Sequence, residues 1–275
     1  MLGEELRRLR VQRGCTLAQA AAAIRGSTSK MSRLELGRNP VKARDIEDLV
    51  RFYNLSIQEV AVINQLMTQA TNAEWYERYS DVTPHYLRRL IEIEGRASEI
   101  RIFENQAVPG LLQTEDYARE LVKLMTGLTG DAREKIVALR LARQRILEQA
   151  ELHLTVILDE SILMRRRGSA RVMQGQMEHL LHIAQNPLHG LRIVSLDTIS
   201  PPYAITYLRF DSGTPPVAYV ENVDSATYAT QTRVVEGYHA AMNGAFQAAL
   251  PREGSLARLE EAVEDWGRKA AREER

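Results

Sequence analysis

Residues 16–37, TLAQAAAAIRGSTSKMSRLELG, constrain this chain more than any other stretch. Leu17, Ala20, Ala21 and Ile24 recur at the spacing of one helical face, and Thr16 stands where an N-cap stands. Arg25-Gly26-Ser27 breaks the pattern, and Gly26 allows the positive φ that such a turn often needs. Ser27 is then the N-cap of a second helix, with Met31 and Leu34 facing inward and Gly37 ending the run. Helix, short glycine-containing turn, helix is the sequence form of a helix-turn-helix.

The outward positions of the second helix are Ser27, Thr28, Ser29, Lys30 and Arg33. Short hydroxyls and long cations suit base edges and phosphates; an arginine such as Arg33 can bond guanine O6 and N7 in bidentate fashion. Lys30 and Arg38 can neutralise phosphates. An ordinary helical pair with a solvated face is the plainer alternative, but the turn glycine, the small inward residues and the basic face all agree with double-stranded DNA as partner. The stretch resembles the Xre/Cro/phage-repressor class, in which an S-R-x-E-x-G segment closes the recognition helix; here it is Ser32-Arg33-Leu34-Glu35-Leu36-Gly37. The resemblance covers about residues 2–62. It implies a glutamine bracing the DNA backbone at the start of the first helix of the pair. Leu17 stands there instead, and Gln19 is the candidate for that contact.

The chain has 275 residues, 44% hydrophobic and 26% charged, with no net charge. That suits two soluble domains. No apolar run approaches the roughly 18 residues of a membrane helix, and the charged, amphipathic N-terminus is unlike a secretory signal. A single cysteine, Cys15, leaves no internal disulfide and no cysteine-based zinc site. A cytoplasmic protein without membrane contact is expected. The neutral total hides an asymmetry: residues 1–44 hold ten Lys/Arg against three Asp/Glu, a net +7. A basic end on a neutral chain marks where a polyanion would dock.

Apolar periodicity gives a first helix over 2–12, a fourth beginning at Asp45 with Ile46, Leu49, Val50 and Tyr53 inward, and a fifth opened by Ser56. Residues 1–68 thus form a five-helix helix-turn-helix domain, and 69–85, polar but carrying Trp75, Tyr76 and Tyr79, a partly helical connection whose aromatics pack on the second domain. Residues 86–275 read as an α+β domain with a small sheet covered by helices, making the chain mainly α. Its strands are expected at about 100–103, 152–158, 191–196, 203–210 and 217–221, and its helices at 86–99, after Thr114, at 160–165, 172–184, 226–250 and 255–269.

Three blocks in this second part resemble the WhiJ-like, antitoxin-like domain that comes after the helix-turn-helix in actinobacterial regulators. They are Val108-Pro109-Gly110-Leu111-Leu112-Gln113-Thr114 with Tyr117-Ala118; Arg140-Leu141-Ala142-Arg143-Gln144-Arg145; and Leu158-Asp159-Glu160-Ser161-Ile162-Leu163. The resemblance spans about 73–265. It implies a partner, a very small protein encoded by a neighbouring gene; a small-molecule effector in a pocket is the second possibility.

Signs of catalysis are weak. No Walker loop or G-x-G-x-x-G is present. His179 and His182 can share a helical face, yet no third ligand stands at zinc spacing. Asp159-Glu160 reads more simply as a strand-to-helix cap, and Arg165-Arg166-Arg167 as a solvated charge run. No catalytic residue, metal or cofactor is assigned. The expectation is a homodimeric DNA-binding regulator in which Thr28, Ser29 and Arg33 read bases, with Ser27 beside them, while Gln19, Lys30 and Arg38 hold phosphates. An enzyme carrying a helix-turn-helix is the runner-up, favoured if perturbed carboxylates surround a pocket near Glu160.

Overall fold

The computed structural model describes residues 2–37, 42–149, 151–186, 189–211, 213–222 and 224–275, excepting the side chains of 65, 68–75 and 77. The chain divides into two compact units, Met1–Arg78 and Tyr79–Arg275.

The first unit is built from α1 (Leu2–Gln12), α2 (Leu17–Ala23), α3 (Thr28–Glu35), α4 (Ala43–Phe52) and α5 (Ile57–Glu77). Leu6, Leu9, Ala20, Met31, Leu34, Ile46, Leu49, Tyr53 and Ile63 form one buried cluster, so each amphipathic stripe finds the others. Thr16 caps α2 in a full capping box with Gln19, and Ser56 does the same for α5 with Glu59. Ser27 caps α3 by accepting from the Lys30 amide at 3.1 Å.

The turn between α2 and α3 differs from expectation. The left-handed residue is Arg25, at φ 51°, and not Gly26. The Gly26 amide bonds to Ala21 O at 2.8 Å, which closes a Schellman-type helix end. Gly26 serves space instead: a Cβ there would meet Lys30 Cδ at 2.9 Å and Ile24 at 3.4 Å. Helix α4 begins two residues earlier than expected, capped at Lys42 without a side-chain bond, and Asp45 lies buried in its first turn. Helix α5 continues to Glu77, into the stretch expected to be a connection, because no glycine or proline interrupts it. Of the three aromatics there, Tyr76 is buried and Tyr79 half-buried, while the Trp75 side chain lies outside the described residues.

The second unit is organised on a six-stranded mixed sheet. Its strands are β1 (Glu99–Glu104), β2 (His153–Asp159), β3 (His189–Val194), β4 (Ile205–Arg209), β5 (Val217–Glu221) and β6 (Ala226–Ala229), in the order β3-β2-β1-β4-β5-β6. The first three are parallel and the rest antiparallel. One face carries Ile100, Ile102, Leu154, Val156, Leu191, Ile193, Leu208 and Tyr219. It is covered by α6 (His85–Glu94), α7 (Glu115–Lys123), α8 (Gly130–Arg143), α9 (Ser161–Met164), α10 (Ala170–Gln185) and α12 (Arg252–Glu273), either directly or through one another. The other face, with Phe103, Ile157, Val194, Ile205, Tyr207 and Ala218, packs on Val235, Met242 and Ala245 of α11 (Thr232–Ala248).

Two expected helices are shorter here. Helix α6 stops at Glu94, with Gly95 as C-cap, which leaves Glu99 free to begin β1. Residues 226–229 are a strand, not the start of a helix: Tyr219 and Tyr228 pair across β5 and β6 with ring centroids 5.1 Å apart, a cross-strand contact that outweighs the helical preference of the alanines. The outer edge of β3 is closed by the chain beyond α11. Leu250 N donates to Ile193 O at 2.8 Å, Ile193 N donates to Ser255 Oγ at 3.1 Å, and Ser255 Oγ donates to Leu250 O at 3.1 Å.

Candidate functional site

In the first unit the candidate surface is the start of α3. Thr28, Ser29 and Arg33 are exposed and, with Ser27 at the cap, stand on the outward side of a helix whose inner residues Met31 and Leu34 are buried. The helix is held at both ends. Near its C-terminus Glu35, 5% exposed, receives Arg10 in a bidentate pair, Nε to Oε1 at 2.6 Å and Nη2 to Oε2 at 3.0 Å, while Arg10 Nη1 also donates to Cys15 O at 3.1 Å. Gly3 of α1 lies so close that a Cβ there would meet Glu35 O at 2.5 Å. Near its N-terminus Lys30 pairs with the buried Asp45 at 2.6 Å.

These pairs revise the expected site. Lys30 is engaged inside the unit, so it braces α3 on α4 rather than standing free for a phosphate. Gln19 is exposed, but its Oε1 accepts from the Thr16 amide at 2.8 Å, leaving only its amide nitrogen end for a backbone contact. Arg38 lies outside the described residues. Arg8, Arg10 and Arg13 are likewise paired, with Glu5, Glu35 and Glu59. Residues 1–78 hold twelve Lys/Arg against nine Asp/Glu, a net +3. The acids of α4 and α5 therefore offset more than half of the +7 read over 1–44, and among the described residues the exposed cations of this unit without an ion pair include Arg7, Arg33 and Arg44.

In the second unit two of the sequence blocks meet. The turn Pro109-Gly110 leads into a short 3-10 helix at Gly110–Leu112, then the Thr114 cap of α7. Gln113, buried, donates to Val108 O at 2.7 Å and accepts from Arg140 Nη1 at 2.8 Å. Gln144 donates to Gln113 O at 2.7 Å and Gly110 O at 3.2 Å. From α10, the fully buried Gln176 donates to Leu112 O at 2.8 Å and accepts from Thr114 N at 2.7 Å. Three glutamines thus satisfy the backbone of an irregular turn that would otherwise be buried with open bonds, and Arg140 holds the side chain of one of them. Arg143 completes the cluster in a bidentate pair with the buried Glu94, at 3.2 and 2.8 Å.

Residues 87–261 match the model of a domain of unknown function, DUF5753. The chain belongs to this family. Residues 1–63 match a helix-turn-helix domain model, which supports a DNA-binding transcriptional regulator. No curated protein and no solved structure matches the chain.

The DUF5753 unit has a partly open pocket of about 80 Å³ between this turn and the sheet. Leu90 and Glu94 of α6, Pro109-Gly110-Leu111, Arg143, and Ile102, Glu104, Thr206, Tyr219 and Glu221 of the sheet line it. Burial, reinforced by the charge of Glu221, pushes the Glu104 carboxyl up to about 8, against the pull of the Asn105 and Gln106 amides. Tyr219 donates to Glu221 at 2.8 Å. Sequence reasoning missed this pair of carboxylates, since neither Glu104 nor Glu221 sits in a motif.

The carboxylates that the sequence did single out are engaged structurally. Asp159 accepts from the Ser161 amide at 3.0 Å, and Glu160 pairs with Arg258 at 3.0 Å and accepts from Leu196 N at 3.0 Å. Arg166 pairs with Glu273 at 2.7 Å. Burial and the neighbouring His182 hold His179 below its ordinary value. Among the described residues no group of three His, Cys, Asp or Glu side chains is placed to hold a metal ion, and no helix is long and apolar enough to cross a membrane.

Proposed function

We propose that this chain is a sequence-specific DNA-binding transcriptional regulator of the Xre type, and not an enzyme. The observation that carries the reading is the braced helix α3, with Thr28, Ser29 and Arg33 exposed along one side and no internal partner for Arg33 among the described residues. In this reading α3 enters the major groove, Arg33 bonds a guanine, and Thr28 and Ser29 meet neighbouring base edges or phosphates. Arg7 and Arg44 supply phosphate contacts, with Arg38 and the amide end of Gln19. One such module buries too little surface for tight specific binding, so the working form is a homodimer on a two-fold site.

The DUF5753 unit then carries the signal. An antitoxin-like role, in which it receives a small partner protein encoded nearby, is supported by the exposed apolar residues Leu196 and Ile199, 55% and 94% accessible, on the segment after β3.

The test is selection of duplexes from a random pool with the full chain, then titration of the selected site. Arg33→Ala should cost about 1–3 kcal/mol and relax preference at one base pair. Lys30→Ala should act chiefly through stability, by leaving Asp45 buried without its cation. Equal binding of wild type and Arg33→Ala to every duplex would refute the base-reading role.

A further inference from the structure

The face of the sheet that packs on α11 is apolar only in part. Phe103, Ile157 and Val194 lie beneath the helix, but the first half of the parallel strands carries Arg101 of β1, Thr155 of β2, and Gly190 and Arg192 of β3 on the same face. Register sets them side by side: Arg101 stands opposite Thr155, Thr155 opposite Gly190, and Arg192 one pleat further along β3. All four are half-buried.

Charge on this patch is one-sided. Arg101 is held by neutral groups: its Nη1 donates to Asn243 Oδ1 of α11 at 2.7 Å and lies 3.1 Å from His239 Nε2. Arg192 donates to Leu250 O at 3.5 Å and faces the Phe246 ring, 5.5 Å from its centroid. Neither arginine has a carboxylate partner among the described residues. Glu99, the next acid on this face of β1, is taken by Arg209 at 2.8 Å. Between the two arginines the Thr155 hydroxyl has no hydrogen-bond partner among the described residues, and Gly190 leaves it uncovered: a Cβ there would lie 3.4 Å from Thr155 Oγ1. Asn243, with its oxygen engaged by Arg101, keeps its amide nitrogen end for a further contact. Every open group of the patch is thus a donor, and they come from three adjacent strands and a helix, so they approach a ligand from several sides. A planar carboxylate meets one arginine in a fork, whereas a phosphate has oxygens for both arginines and the hydroxyl. Strands β1 and β3 lie about 10 Å apart across the sheet, a span that two arginine side chains can close over the residue between.

We propose that this patch binds a phosphate dianion, free or as the monoester of a small molecule, with Arg101 and Arg192 as its counter-charges and the Thr155 hydroxyl and Asn243 amide as further donors. The site lies wholly within the DUF5753 unit. Phosphate binding here does not depend on the reading of α3 as a DNA-binding helix and is tested without DNA.

The experiment uses the full chain with threonine and isoleucine methyl groups labelled with carbon-13. It is titrated at pH 7.5 and fixed ionic strength with inorganic phosphate and with methyl phosphate, each mostly a dianion above a second pKa of about 6. Sodium acetate and sodium chloride are the controls. The methyl signals of Thr155 and of Ile157, its neighbour on the same face, should move saturably with either phosphate, with a Kd in the millimolar range, as so small a ligand permits. Acetate should bind at least tenfold more weakly. Both phosphates support the site; tighter binding of methyl phosphate identifies a monoester ligand, and tighter binding of inorganic phosphate the free ion. Arg101→Gln should weaken binding at least tenfold and Arg192→Gln several-fold. Gly190→Ala keeps every charge, and its new Cβ makes ordinary contacts, 3.4 Å to Thr155 Oγ1 and 3.6 Å to Thr155 Cγ2, while covering the hydroxyl; binding should weaken. Unmoved Thr155 and Ile157 signals, an equal response to acetate, or undiminished binding in a folded Arg192→Gln chain would overturn the proposal.

Discussion

The pair between Arg10 and Glu35 allows a quantitative test of how the recognition helix is held. Its two hydrogen bonds, 2.6 and 3.0 Å, join side chains only 14% and 5% exposed. At about 2.8 Å and an effective dielectric constant near 20 the attraction is about 6 kcal/mol. Taking both ions from water costs several kcal/mol each, so the pair as a whole contributes little net stability. Removing one partner is different, because the other charge stays buried. Glu35→Leu or Arg10→Met alone should therefore destabilise the first unit by about 3–5 kcal/mol. The arginine variant should suffer more, since it also strips Cys15 O of its donor. The double variant should return to within about 1–2 kcal/mol of wild type, its apolar side chains filling the same space. Hydrogen exchange of α1 and α3 in the full chain reads this locally: protection should fall about a hundred- to several-thousandfold in each single variant and largely recover in the double. If the single variants cost under about 1 kcal/mol and the double costs their sum, the pair behaves as a solvated surface pair, and the bracing argument fails.

Other perturbations have equally definite outcomes. Gln176→Leu leaves Leu112 O and Thr114 N without partners and should cost about 2–4 kcal/mol by urea unfolding, whereas a change at an exposed glutamine such as Gln247→Leu should cost little. The Tyr53 hydroxyl is buried with no hydrogen-bond partner among the described residues, and burial raises its ionisation well above the ordinary range; Tyr53→Phe should leave thermal stability equal or slightly higher. Glu104 has a folded pKa of about 8 against an ordinary 4.5. Its contribution is fully present below about pH 4.5 and is lost as pH rises through 8, because the folded state there holds the extra proton. Wild-type stability should thus decline from pH 5 to pH 8, and Glu104→Gln should flatten that decline by about 1–3 kcal/mol, the full shift being reduced by solvent screening.

The mainly helical first unit and the α+β second unit were legible because their signals are local. Ser27, Ser56, Thr16 and Thr114 cap the helices where hydroxyl-plus-periodicity places them, and Leu154, Val156 and Leu158 alternate as a strand must. The features that escaped the sequence depend on partners distant along the chain. Lys30 looks like a phosphate ligand until Asp45, fifteen positions on, is seen beneath it. Strand β6 is four residues, two of them alanine, and exists because Tyr219 stands opposite Tyr228. The glycine of the turn was right as a turn signal and wrong in its reason, since Arg25 takes the left-handed conformation and Gly26 makes room for Lys30. The blocks around Gln113 and Arg140 come together in the fold, but nothing in the sequence told that their polar groups hold a turn, nor that Glu104 and Glu221 lie beside them.

Closure of β3 by Leu250 and Ser255 also governs assembly. An open edge strand is a template for another chain, and β3 presents Leu191, Ile193 and Val194 to the interior on either side of its backbone. The other edge of the sheet is only the four residues of β6. The last helix therefore acts as a guard as well as a core element: a chain cut after α11 would lose Leu259 and Trp266 from the core and also expose the Ile193 amide and carbonyl, and should associate edge to edge as well as lose stability.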